Sequence, residues 1–173
     1  MSIGLTWAAI SLLFVTYGIR IDKTISKHAA ATKRAYIFMA LIQTVILPTY
    51  ALFIWKWYAV HLGLPSIFIT LNIMSAALLL IAAWVPDTHS NKGMATVHGW
   101  CAYPAYVLFL PMFIIGAANT YGTVRGVFFA AILLLMLIFI YLLVDRSRKK
   151  ILVAQLITLL GFHSAILLTA FVG

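Results

Sequence analysis

The stretch VFFAAILLLMLIFIYLLV (127–144), followed at once by DRSRKK (145–150) and then by ILVAQLITLLGFHSAILLTAF (151–171), decides the fold. A hydrocarbon core is about 30 Å thick and a helix rises about 1.5 Å per residue, so about 20 apolar residues cross a membrane. Two such runs divided by a compact basic segment read as two spans joined by a short turn. Lone spans must satisfy their own backbone hydrogen bonds in lipid, which requires helices. The alternation of barrel strands is absent.

Outward from that stretch the pattern recurs. The predicted spans are Ile3–Ile19, Ala35–Val60, Ile67–Val85, Gly99–Ala118, Val127–Val144 and Ile151–Phe171. Hydrophobic residues make up 65% of the 173-residue chain and charged residues 9%. A soluble domain carries about 25% charged residues, and one soluble core of this size could not hide so much apolar surface. The expected fold is an all-α integral membrane protein, a single bundle of six transmembrane helices.

The charge pattern orients the bundle. The chain has 12 Lys and Arg against 3 Asp and Glu. The first connection, 20–34, holds Arg20, Lys23, Lys27, Lys33 and Arg34. The third, 86–98, holds Lys92, and the fifth, 145–150, holds Arg146, Arg148, Lys149 and Lys150. Only Lys56 and Arg125 lie elsewhere. The positive-inside rule places the odd connections in the cytoplasm and both termini outside. The expected location is a prokaryotic cytoplasmic membrane. Basic residues beside spans are attracted to anionic headgroups, so membrane lipids are the expected partners, with a membrane protein as another possible one. No basic helix or aromatic-basic interleaving accompanies the net charge of +9, which argues against nucleic acid. Met1–Ile19 has no charge before Arg20, so it reads as a retained span and not a cleaved signal. The first connection mixes apolar and basic residues and is expected to run partly as a helix along the membrane surface. Trp7, Trp55, Trp57, Trp84 and Trp100 fall near span ends, as interfacial anchors do.

The candidate polar site is the segment WVPDTHSNKGMATVHGW (84–100), where Asp87, His89 and His98 gather at the cytoplasmic mouth. Imidazole and carboxylate can bind zinc or act as general base and acid. Metal-ligand spacing such as HExxH is missing, and the ordinary reading of these residues is loop capping and helix seating. His163 lies inside the sixth span, where an ionisable residue points to function unless it serves as interhelical glue. Gln43, Asn72 and Gln155 read as glue. A haem would need two histidines at matched depth, whereas His98 at the edge and His163 stand about 18 Å apart by helical rise. No lysine lies deep enough for a retinal Schiff base. Lys56 reads as snorkelling to the interface. Pro48, Pro104 and Pro111 are expected to kink the second and fourth spans, opening a cavity lined by Tyr50, Tyr103 and Tyr106. Cys101, one turn past His98, reads as an apolar filler with a thiol–imidazole pair as the alternative. The sequence assigns no cofactor, metal or catalytic residue.

Pro86 and Asp87 closing one span, with His98 and Gly99 opening the next and FLPMFIIGAA continuing it, resemble a broad prokaryotic family of six-span membrane proteins. That family is distantly similar to the eukaryotic damage-regulated autophagy modulators. The resemblance implies an architecture and no reaction. The three functions weighed are binding of a lipid or small hydrophobic ligand (or assistance to a membrane partner), headgroup chemistry by Asp87, His89 and His98, and transport of a small solute. Asp22, Asp87 and Asp145 all lie in connections, whereas coupled ion transport usually leaves acids at membrane depth.

Overall fold

A computed structural model describes residues 2–87, 91–144 and 150–173. Every regular element among them is helical: α1 (Ser2–Tyr17), α2 (Ile25–Ala29), α3 (Lys33–Phe53), a π-helical turn (Ile54–Tyr58), α4 (Ala59–His61), α5 (Ser66–Trp84), α6 (Lys92–Val107), α7 (Phe109–Asn119), α8 (Gly122–Val144) and α9 (Ile151–Val172). Five helical stretches are long and apolar enough to cross a membrane: Lys33–His61, Ser66–Trp84, Lys92–Asn119, Gly122–Val144 and Ile151–Val172. α1 has 16 residues, about 24 Å of helix.

The helix ends have local causes. Gly18 (φ 76°) closes α1 short of the predicted end at Ile19. Gly63 (φ 62°) closes the second stretch. Its N–H reaches Val60 O at 3.2 Å and the Leu64 N–H reaches Ala59 O at 2.8 Å, the paired closure that a left-handed glycine permits. Thr24, Thr32 and Asn91 each accept a backbone N–H from the residue three ahead, which starts α2, α3 and α6. The Asn91 cap starts α6 at Lys92 instead of the predicted Gly99, so His98 lies two turns inside a helix.

The prolines fall in the stretches that depart from a regular helix. α3 runs through Pro48 and then widens into the π turn, which buries Ile54 and Tyr58 completely. The fourth stretch is interrupted at Leu108, between α6 and α7. Pro111 has no N–H for Val107 O, and its ring crowds that carbonyl, which accounts for the break.

Helices adjacent in sequence pack together: α1 on α3, α3 on α5, α5 on α6, α7 on α8 and α8 on α9. α1 and α9 scarcely approach each other. Phe109 stacks on Phe162 with ring centroids 4.0 Å apart, inside a core with Phe68, Phe113 and Phe128. A second cluster joins Ala9, Leu13, Ala29, Ala35 and Met39. Outward-facing residues stay apolar, as Leu133, Leu137 and Ile140 of α8 show.

α2 turns His28 and Ala29 into the bundle. His28 is buried, its Nδ1–H bonds Thr24 O at 2.8 Å, and its Nε2 accepts the Arg20 N–H at 2.9 Å. The Ile25 N–H donates to Gln155 Oε1 at 2.9 Å, and the Leu152 N–H to Ile21 O at 3.2 Å. These bonds tuck the first connection under one end of the bundle, against the start of α9.

Candidate functional site: two adjoining cavities

Small side chains leave space where the two clusters meet. An inner cavity of about 180 Å³ lies between α1, α3, α5, α6 and α9. Ala29, Ser75, Ala76, Ala82 and Ala102 line it, where larger residues would fill it. A vestibule of about 290 Å³ adjoins it at the α2 end. The two share Ser26, Asp87, His98, Ala102, Tyr106 and Gln155, so they are neighbouring chambers with one common wall.

The polar groups of the inner cavity are incompletely paired. Asn72 is 1% exposed. Its Nδ2 donates to the Tyr50 hydroxyl at 3.3 Å, and its Oδ1 has no protein hydrogen-bond partner. That bond uses an acceptor lone pair of Tyr50 and leaves the phenol hydrogen to donate elsewhere. His163 is 9% exposed and its Nδ1 also lacks a protein partner. The indole of Trp7 meets the His163 ring edge-on at 6.1 Å, which bridges the sparse junction of α1 and α9. Trp7 is half-buried by this contact. A buried polar atom without a partner costs about 1–3 kcal/mol, and two in the lining of one cavity suit it to a hydrogen-bonding guest.

The common wall carries His98. Its Nδ1 lies 3.0 Å from Ala82 O and 2.7 Å from Val85 O, so Nδ1–H caps the last turn of α5. That places a hydrogen on Nδ1, so in the neutral ring Nε2 is the acceptor nitrogen of a side chain that lines both cavities. The proline-aspartate and histidine-glycine pairs that resemble a family thus have a mechanical role: Pro86 follows α5, and His98 ties its end to α6. Asp87 accepts only the Thr24 hydroxyl, at 3.4 Å. Asp22, also on the vestibule, pairs with Arg20 at 2.9 Å, and that guanidinium holds its carboxyl below the usual carboxylate range.

Of the residues singled out from sequence, Asp87, His98, His163, Tyr50 and Tyr106 line the inner cavity. Tyr103 lines only the vestibule and is 63% exposed. His89 lies outside the described residues, as does the basic run 145–149. Cys101 is on neither wall, and the engaged Nδ1 of His98 faces carbonyls, not the thiol. Among the described residues no group of three His, Cys, Asp or Glu side chains could hold a metal ion. Lys56 lies 3.9 Å over the Trp55 ring. His28 was not singled out. Its only sequence signal is a threonine four residues earlier on a short helical stretch.

No protein-family model matches the chain, and no curated protein or solved structure is significantly similar to it. Function therefore has to be argued from the two cavities.

Proposed function

We propose that the chain is a six-span protein of a prokaryotic cytoplasmic membrane that holds a small amphipathic molecule, uncharged at its polar end, in the inner cavity. The observation that carries the reading is the pair of partnerless buried atoms, Asn72 Oδ1 and His163 Nδ1, on residues that line one cavity inside a bundle of apolar helices. With the Tyr50 hydroxyl beside Asn72, the lining offers both donors and acceptors to a hydroxyl or carbonyl guest. No Lys or Arg lines this cavity, and its one carboxylate, Asp87, is at the α2 end, so a charged polar end would find no counterion at depth.

α1 is the sixth span on this reading. It is apolar around its whole circumference, with Ala9, Ile10 and Leu13 buried and Val15 exposed. The basic residues of the odd connections put α2 and the vestibule on the cytoplasmic side. A single cysteine at Gly173 in a Cys101→Ser background should react with an impermeant maleimide from outside intact cells. Labelling only after lysis would reverse the orientation.

The binding test is native mass spectrometry of protein extracted gently from its own membrane. Wild type should retain one small molecule that is lost from Asn72→Leu and His163→Leu. A wild-type chain free of any such mass would sink the reading. A second reading, headgroup chemistry at the interface, draws on the acceptor Nε2 of His98 and on Asp87 in the lining of one vestibule. Lipid turnover by wild type that disappears in His98→Asn would favour it over binding alone.

A further inference from the structure

The vestibule has two unlike halves. The α2 side and the α5–α6 junction supply Thr24, Lys27, Asp87 and His98. The facing wall is apolar along α8, with Leu135, Ile138 and Leu142, and mixed along α9, where Ile151 and Ala154 stand with Gln155 and Thr158. Tyr103, which also lines it, is 63% exposed.

Two charges in this chamber, Asp87 and Lys27, are unmatched among the described residues. Among the described residues the ion pair is Arg20–Asp22, and it takes up Asp22. Neither Asp87 nor Lys27 has an ion pair there, and the Asp87 carboxylate keeps only one long bond to Thr24. His98 is 9% exposed and its Nε2 accepts no hydrogen bond. A simple cation would satisfy Asp87 and leave Lys27 alone, and a simple anion would do the reverse. A zwitterion answers both, and the apolar wall then needs an alkyl chain beside it.

We infer that the vestibule docks the headgroup of a zwitterionic phospholipid from the adjoining leaflet, with a primary ammonium on Asp87 and His98 Nε2, the phosphate on Lys27, and an acyl chain along α8. The Nε2 acceptor sets the specificity. A primary ammonium brings N–H donors for a carboxylate and an imidazole together, whereas a quaternary ammonium brings none. The chamber should therefore prefer phosphatidylethanolamine to phosphatidylcholine of identical chains. Phosphatidylglycerol, with no ammonium, should leave Asp87 unanswered. This site is separate from the guest of the inner cavity, and it does not need that reading to hold.

The test is lipid titration of delipidated protein by native mass spectrometry, with phosphatidylethanolamine, phosphatidylcholine and phosphatidylglycerol of matched chains, and with soluble phosphoethanolamine. A hydrogen bond to a charged group implies a preference of about tenfold or more for phosphatidylethanolamine in wild type. Asp87→Asn keeps an acceptor for Thr24 and should erase that preference. Lys27→Gln should weaken both zwitterionic lipids, while Asn72→Leu in the inner cavity should leave the preference unchanged. Equal binding of phosphatidylethanolamine and phosphatidylcholine by wild type overturns the proposal, as does a preference that survives Asp87→Asn. Displacement of the lipid by equimolar phosphoethanolamine would make a soluble headgroup the ligand and overturn the leaflet as its source.

Discussion

Replacing Asn72 by leucine should change stability by different amounts according to what the inner cavity holds. Leucine has nearly the shape of asparagine, so packing changes little. In protein stripped of small molecules, the substitution removes the Asn72–Tyr50 hydrogen bond at 3.3 Å. Interhelical bonds of this kind in membranes average about 0.6 kcal/mol and reach about 1.7. It also removes the partnerless Oδ1, whose burial costs about 1–3 kcal/mol. It also orphans the buried Tyr50 hydroxyl at a similar cost, so the expected balance lies within about 1 kcal/mol of zero, or about 2–4 °C in Tm for a chain of this length. In protein extracted with its guest, Oδ1 is bonded, and leucine leaves the guest's donor buried and unpaired. The expected change is then a loss of about 1–3 kcal/mol. The assay is thermal melting followed by tryptophan fluorescence on gently extracted and stripped samples of the same preparation. Ser75→Ala is the control, because the Ser75 hydroxyl already bonds Ala105 O at 2.9 Å and its loss should lower both samples alike. If Asn72→Leu also lowers both samples alike, Asn72 is a tie between α3 and α5, and the cavity argument fails.

Other substitutions probe the frame around the cavities. A Cβ on Gly116 would stand 2.7 Å from the fully buried Phe128 ring, so Gly116→Ala should cost about 1–3 kcal/mol of stability in the same melts. Gly161→Ala presses only on the Leu134 side-chain tip, which can turn toward lipid, and should cost visibly less; an equal cost would mean that Leu134 is as fixed as Phe128. Gln155→Leu deletes the acceptor for the Ile25 N–H and should speed amide exchange across 25–29 by about tenfold, as expected for a lost hydrogen bond of about 1.5 kcal/mol at most. Unchanged exchange there would show that His28 alone holds α2. His98→Asn keeps a donor near the Nδ1 position and should preserve Tm, whereas His98→Ala uncaps α5 and should lower it by about 1 kcal/mol; equal melting of the two would remove the capping role.

What was legible in the sequence is what depends on periodicity and on charge counted along the chain. The long apolar runs became helices within a few residues of their predicted limits wherever a glycine or an N-cap marked the end, as at Gly63 and Thr32. The fourth run misled because its apolar part begins at Gly99, whereas Asn91 starts the helix seven residues earlier. That shift moved His98 from a loop edge to a wall shared by two cavities. Pro104 and Pro111 signalled an irregularity, but its location at Leu108 follows from which carbonyl loses its donor, and that depends on where the helix begins.

The cavities themselves could not be read in the sequence, because a void is a property of several helices at once. Ala76 and Ala82 on α5, Ala102 on α6 and Ala29 on α2 are unremarkable singly in an apolar chain. Only their convergence leaves room beside Asn72 and His163. The same limit hid α2. Nothing in RIDKTISKHAAATKR says that its histidine turns inward, because the reason lies 130 residues away: the Gln155 side chain that meets the Ile25 N–H. That one bond sets the floor of both chambers, since Ser26 and Gln155 line each of them. A residue that reads as interhelical glue and a connection that reads as a basic topology signal therefore meet at the boundary between the two proposed sites. Loosening α2 should consequently disturb lipid docking in the vestibule and retention of the inner guest together, even though no charged residue is altered.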